Sequence, residues 1–91
     1  MTTQLFSVFD SAAGLYLDPF CAPSVEFAIR EFRHTVNKEG SMFNKFPSDY
    51  TLFHIGEFSP DAGQIAASEP RSLGVAITFL TPDSLENGGP N

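Results

Sequence analysis

A single stretch of the chain carries the apolar spacing of an amphipathic helix. Between residues 24 and 39, apolar side chains recur at positions 25, 28, 29, 32 and 36, which places them on one helical face. Ser24 can cap the amino end through its hydroxyl oxygen, and Gly40 is a natural stop at the other end. Because one helix can cover only one face of a sheet, any sheet in this chain is predicted to have an uncovered face.

The remaining apolar segments are short and predict β-strands. They cover residues 4–9, 15–20, 50–58, 64–68 and 72–80. The sequences "DSAAG" and "SPDAG" join neighbouring strands as hairpins, because Asp, Pro and Gly adopt the backbone angles of tight turns. The predicted order is β-β-α-β-β-β, and its short connections favour antiparallel pairing. The predicted fold class is therefore α+β, an antiparallel sheet of four to five strands with one helix packed on one face.

Side-chain alternation along the third predicted strand indicates a central position in the sheet. Phe53 and Ile55 point to one face and Leu52 and His54 to the other, so both faces are largely apolar. The face opposite the helix is predicted to carry aromatic side chains: Phe9, Tyr16, Phe20 and, as a further candidate, Phe58. A homodimer, sheet to sheet or edge to edge, is expected to bury them.

The length of the chain allows one domain. With 91 residues, ten of them Phe, it can build one core, and we predict a single domain over residues 1–80. The terminal "TPDSLENGGPN" is polar, acidic and rich in Gly and Pro, which predicts a disordered tail over residues 81–91. The first residues show no signal-peptide pattern, and no apolar stretch approaches the length of a membrane span. We therefore expect no membrane association.

Residue types used in catalysis are present, but not in catalytic arrangements. His54 and Glu57 point to opposite faces of one strand, so they cannot meet as an acid–base pair. The histidines lack metal-ligand spacing, and the single cysteine, Cys21, excludes an internal disulfide and a four-cysteine zinc site; it is expected to be partly buried. No nucleotide-binding or nucleophile motif occurs. We predict no enzyme activity, no catalytic residue, no metal and no cofactor.

The charge distribution leaves two alternatives for nucleic-acid binding. A formal net charge of −6 weighs against broad contact with a phosphate backbone, yet four of the five basic residues fall between positions 30 and 45. A basic track with aromatic rings is typical of single-strand binders. The candidate nucleic-acid-binding residues are Arg30, Arg33, Lys38, Lys45, Phe43, Phe46 and Tyr50. The alternative, which composition by itself favours, is that the charges solvate the helix while the rings pack.

Three segments of the chain resemble a known family. They are "SVFDSAAGLYLDPF", "FPSDYTLFHIGEFSPDAGQI" and "SLGVAITFL", and the spacing between them is similar as well. Together they resemble the small nonstructural protein of gokushovirus-type microviruses, which are single-stranded DNA phages, over roughly residues 5–80. The phrase "DYTLFHIGEF" is the distinctive part. Ser59 departs from the family pattern, in which an aspartate is common at that position.

The resemblance implies a nonstructural protein of the host bacterial cytoplasm and no catalytic residues. It implies a role in the switch from duplex replication to synthesis and packaging of the single-stranded genome, and such proteins are sometimes described as DNA-binding. One expected function is a single-stranded DNA-binding module that contacts phosphates through the four basic residues and stacks bases on the three rings. The other is an oligomeric adaptor for the viral replication or capsid proteins that does not contact DNA.

Overall fold

The computed structural model describes residues 2–81 and forms a curled, half-barrel sheet of five antiparallel strands with one main helix. In chain order the elements are β1 (Thr3–Asp10), β2 (Leu15–Tyr16), β3 (Phe20–Ala22), α1 (Val25–Val36), the short α2 (Met42–Lys45), β4 (Tyr50–Ser59), β5 (Gln64–Val75) and a 3₁₀ turn (Ala76–Phe79). The predicted α+β class, with one main helix packed on a sheet face, is confirmed. Nearly all of the predicted tail, residues 82–91, lies outside the described part of the chain.

The element order differs from the prediction because residues 15–20 do not form one strand. They form β2 and β3, which both pair antiparallel with β1, so the order is β-β-β-α-β-β. The interruption contains Pro19, which has no backbone N–H to donate to β1. Leu17 anchors it instead: its N–H donates to the Val8 carbonyl at 2.8 Å, and its carbonyl accepts from the Ser7 hydroxyl at 2.6 Å.

Strand β5 is continuous where two strands were predicted. Arg71 lies opposite His54 and Ala67 opposite Gly56, so three residues of β5 face a single residue of β4. This bulge accommodates Pro70, which cannot donate to a regular ladder. The prediction of separate strands at 64–68 and 72–80 is wrong because the bulge accommodates the proline without ending the pairing.

The chain leaves the sheet at Val75, although a strand was predicted through residue 80. Gly74 has a φ of 142°, and a Cβ at this position would lie 2.8 Å from the Phe79 ring. The bend lets Phe79 fold back against Phe32 of α1, with 5.6 Å between ring centroids. Ile77, which follows the bend, is 48% exposed.

The core lies between α1 and one face of the sheet. Its buried members are Phe6, Val8, Ala22, Ala28, Phe32, Val36, Tyr50, Leu52 and Ala76. Three of them belong to the predicted apolar stripe, which confirms the amphipathic helix. The predicted cap is also confirmed, since the Ser24 hydroxyl accepts a hydrogen bond from the Phe27 N–H at 3.1 Å.

Helix α1 ends at Val36 rather than at residue 39 because side chains occupy its last carbonyls. Asn37 donates through Nδ2 to the Arg33 carbonyl at 2.8 Å, and Asn44 donates through Nδ2 to the Val36 carbonyl at 2.9 Å. Asn37 Nδ2 also lies 3.0 Å from the Phe79 carbonyl oxygen and donates to it. This one side chain therefore ties the 3₁₀ turn to the end of α1.

Candidate nucleic-acid interface

Two exposed arginines of α1 each lie over an aromatic ring. The guanidinium carbon of Arg30 is 5.4 Å from the centroid of the Phe27 ring, and that of Arg33 is 5.4 Å from the centroid of Phe79. These distances are within the range of cation–π interactions, which hold the guanidinium near the ring while leaving its N–H donors available. Because Arg30 and Arg33 are three residues apart, they lie on the same flank of the helix.

The surface around Arg33 continues onto the loop after α2. The Ile77 N–H donates to the carbonyl of Pro47 at 2.9 Å, which brings the 3₁₀ turn beside the loop that carries Phe46. Phe46 is 53% exposed and follows Lys45, which is also exposed. We call this surface the basic–aromatic strip and define it as Phe27, Arg30, Arg33, Lys45, Phe46, Ile77 and Phe79.

Three of the residues predicted to bind nucleic acid lie outside the strip. Lys38 is exposed beyond the end of α1, where its N–H donates to the Thr35 carbonyl at 3.1 Å. Phe43 packs between Phe32 and Tyr50, with centroid distances of 5.2 and 4.8 Å. Tyr50 is only 3% exposed, so it has no free ring face for a base in this fold.

Sequence reasoning placed Phe79 and Ile77 on a strand and did not assign them to a site. They join the strip only because Gly74 turns the chain back toward α1. A glycine inside a strand pattern is a known signal for a bulge or a bend. That signal locates the bend but does not identify the arginine that the following segment meets.

The burial of Tyr50 changes its acid–base behaviour. Burial raises the pKa of the phenol above its ordinary value, and the carboxylates of Asp10 and Asp49 raise the pKa further. The folded state therefore favours the neutral phenol more strongly than the unfolded state does. This stabilising contribution is complete below about pH 10, the unfolded pKa, and is lost as the pH rises through the higher folded-state pKa.

We expect Tyr50→Phe to flatten the alkaline loss of stability. Above about pH 10, the free energy of unfolding of the wild type should fall more steeply than that of the variant, by up to ~1.4 kcal/mol per pH unit. Urea denaturation at a series of pH values measures both slopes. Tyr16→Phe removes the other tyrosine of the chain, at an exposed position, and should keep the wild-type slope. If the free energy of unfolding of the wild type and of Tyr50→Phe fell in parallel above about pH 10, the alkaline loss of stability would not come from Tyr50.

The face of the sheet opposite α1 carries an aromatic cluster. Tyr16, which is 47% exposed, lies 4.9 Å from Phe9 and 5.4 Å from Phe53 between ring centroids. Phe20 was predicted on this face, but it pairs opposite Phe6 and stacks on it at 5.6 Å, on the helix side of the sheet. The prediction is wrong for Phe20 because β3 pairs with β1 in a register that puts both rings on one face.

The structure also places His54 and Cys21, which were considered for chemistry. His54 Nε2 lies 2.8 Å from Gln4 Oε1, and its ring packs edge-on against Phe6. Cys21 is exposed on β3 and not partly buried as expected. Within residues 2–81 no group of three His, Cys, Asp or Glu side chains could hold a metal ion, and no helix there is long and apolar enough to cross a membrane.

Comparison with known proteins identifies the family. A family model described as Phage ORF5 protein matches residues 3–79. This range runs from the start of β1 to the end of the 3₁₀ turn and includes every helix and strand described above. No curated protein and no solved structure matches the chain. Because the family model covers most of the sequence, the chain belongs to the Phage ORF5 protein family.

Proposed function

We propose that this phage protein is a nonstructural accessory protein of a gokushovirus-type microvirus that binds single-stranded DNA. It would act in the host bacterial cytoplasm, in the switch from duplex replication to synthesis and packaging of the single-stranded genome. The sequence resemblance supports the type of phage and the stage of the cycle. The observation that supports DNA binding is the basic–aromatic strip, in which two guanidinium groups lie over rings on one flank of α1.

The strip has both components that a single strand needs. Arginine donates hydrogen bonds to phosphate oxygens, and exposed rings such as Phe27 and Phe46 offer faces on which unpaired bases can stack. Stacking on an aromatic side chain contributes about 1–3 kcal/mol per base. A duplex keeps its bases stacked on one another, so it can use only the arginine contacts. We therefore expect single strands to bind more tightly than duplexes.

The net negative charge of the chain determines how strong DNA binding is expected to be and how it depends on salt. With a net charge of −6, the protein repels DNA at long range, and we expect the strip to supply the local attraction. Binding is therefore expected to be weak at physiological ionic strength and to strengthen as salt is lowered.

Charge reversal within the strip tests the proposal. We expect Arg30→Glu and Arg33→Glu each to weaken binding of a labelled oligothymidylate about tenfold at low salt, because each removes a phosphate contact and adds a repulsive charge. Fluorescence anisotropy, measured with single-stranded and duplex oligonucleotides, reports the affinity. Arg71→Glu on β5 makes the same change of net charge at an exposed site outside the strip, and it should weaken binding much less.

Two results would count against DNA binding through the strip. The wild type could show no anisotropy change at low salt with either oligonucleotide. Alternatively, Arg71→Glu could weaken binding as much as Arg33→Glu, which would mean that net charge and not the strip controls the interaction.

A specific observation favours a second candidate, an oligomeric adaptor for phage replication or capsid proteins. The cavity of about 360 Å³ beside the aromatic cluster on the open face is lined only by uncharged residues: Ser7, Tyr16, Leu17, Pro19, Ile55, Ala67 and Pro70. Two copies that met through this face would bring no like charges together there, despite the acidity of the chain. Light scattering on the wild type and on Tyr16→Ser tests this candidate. A dimer that Tyr16→Ser dissociates supports it, and a monomeric wild type removes it.

A further inference from the structure

The flank of α1 opposite Arg30 and Arg33 borders an apolar groove. Two adjoining cavities, of about 300 and 330 Å³, lie between α1, residues 17–20 and α2, and they share Leu17, Thr35 and Phe43. We call the combined cavity the acid-rimmed groove. Its apolar lining consists of Val8, Leu17, Phe20, Phe32, Met42, Phe43 and Tyr50.

The groove exists because the strand edge beside it is interrupted. Pro19 separates β2 from β3, so no regular strand closes the gap between this edge and α1. Leu17 and Phe20, on either side of the proline, are both exposed, and Met42 at the other end is 59% exposed. Removing such apolar surface from water is favourable, so an apolar group is expected to bind in the groove.

The charged residues that line the groove are all of one sign. Three carboxylates, those of Asp10, Asp18 and Glu31, belong to its lining, and no Lys, Arg or His does. Asp18 and Glu31 are exposed to solvent, while one oxygen of Asp10 accepts hydrogen bonds from the turn N–H groups of Ala12 and Ala13 at 3.0 and 3.3 Å. An occupant of the groove therefore meets an apolar floor and a negative rim.

We propose that the acid-rimmed groove binds a segment of a partner protein in which large apolar side chains are flanked by Lys or Arg. The apolar floor selects the anchors, and the carboxylate rim selects the flanking charges. The same rim repels phosphate groups, so the groove does not accept nucleic acid or an anionic lipid surface. This assignment does not depend on DNA binding by the strip, because Glu31 and Thr35 lie on the other flank of α1 from Arg30 and Arg33.

A pair of synthetic peptides tests this assignment. The first is a labelled amphipathic peptide of roughly four helical turns with Leu and Phe on one face and Lys on the other. The second has Glu at every Lys position and is otherwise identical. By anisotropy at low salt, we expect the Lys peptide to bind at least about tenfold more tightly than the Glu peptide, because only the Lys peptide complements the rim.

Matched variants show whether the groove causes the difference. The double variant Asp18→Asn with Glu31→Gln is expected to lower the affinity for the Lys peptide about fivefold. The ratio of the affinities for the Lys and Glu peptides should fall as well. Glu57→Gln with Glu69→Gln makes the same change of net charge at exposed sites on the β4–β5 hairpin and should leave both affinities nearly unchanged. Met42→Ser removes an apolar contact without changing charge and should weaken the Lys peptide as well.

Three outcomes would overturn the proposal. The two peptides could bind equally, or neither could bind. The Glu57 and Glu69 variants could weaken the Lys peptide as much as the groove variants do. Sedimentation could also show that the wild type is a dimer and that Asp18→Asn with Glu31→Gln dissociates it; in that case the groove is occupied by a second copy of this chain.

Discussion

Replacing Gly56 with alanine is expected to lower the free energy of unfolding by about 3 kcal/mol or more, which is near the upper end of the range for overpacking. Gly56 is buried in β4, and a Cβ at this position would collide with the carbonyl oxygen of Ala66 on β5. It would also lie 3.3 Å from the Cα of Ala67. These are backbone atoms of a paired strand, so no side-chain rotation can relieve the contact.

Urea denaturation followed by circular dichroism measures this loss. Gly63→Ala is the matched control, because Gly63 lies in the turn of the same hairpin and a Cβ built there has no atom within 4 Å apart from those of Gly63 and its two neighbours in the chain. Its φ of 66° makes alanine unfavourable by about 1–2 kcal/mol, so some loss is expected at this position as well. If Gly56→Ala cost no more than Gly63→Ala, the close approach of β4 and β5 at Gly56 would be wrong.

Phe32→Ala is expected to destabilise the protein by about 3–5 kcal/mol. Phe32 is 4% exposed and lies where α1, α2 and the 3₁₀ turn meet. Its ring centroid is 5.2 Å from that of Phe43 in α2 and 5.6 Å from that of Phe79 in the 3₁₀ turn. Truncation leaves a cavity bordered by both rings. Because the total stability of a domain is only about 5–15 kcal/mol, much of the margin would be lost.

Phe27→Ala is the control for Phe32→Ala. Both substitutions remove a phenyl ring from α1, but Phe27 is 39% exposed and lies outside the buried core, so we expect a loss of about 1 kcal/mol or less. Hydrogen exchange should also show faster opening of α2 and the 3₁₀ turn in Phe32→Ala, since both lose a packing partner. Equal destabilisation by the two variants would contradict the placement of Phe32 at the centre of the core.

The two flanks of α1 carry different surfaces because of helical geometry. Arg33 faces the 3₁₀ turn with Arg30 on the same flank, and Glu31 and Thr35 face the groove on the other. A basic surface and an acidic groove can therefore occur within two turns of one helix. The two proposed activities can be separated by substitution, because reversing the strip arginines does not alter the groove carboxylates.

Local patterns in the sequence correctly predicted the main helix and the alternation of Leu52 and Phe53 between the two faces of the sheet. The apolar stripe that includes Ala28 and Phe32 follows the helical period of 3.6 residues. Leu52 and Phe53 follow the strand period of two, in which successive side chains point to opposite faces. These periods depend only on neighbouring residues. The same is true of Ser24, whose hydroxyl caps the helix that begins at the next residue.

The candidate sites were only partly predictable. Arg30, Arg33, Lys45 and Phe46 were identified from the sequence, since a cluster of charges and rings is visible there. Phe43 and Tyr50 belong to the same cluster, yet Tyr50 is buried and Phe43 packs on it and on α1. Whether a ring is exposed depends on which distant segment covers it, and composition does not contain that information.

The sequence by itself determined the α+β class, the position of the single main helix and the opposite faces of Leu52 and Phe53 in β4, because these follow from short-range periodicity. Only the tertiary structure decided that β5 continues past Pro70, that the chain bends at Gly74, and that Phe79 lies beneath Arg33. Each of these depends on contacts between residues far apart in the chain. A bulge forms only where a strand pairs with another strand. The contact between the Arg33 guanidinium and the Phe79 ring forms only because the bend at Gly74 brings Phe79 to α1.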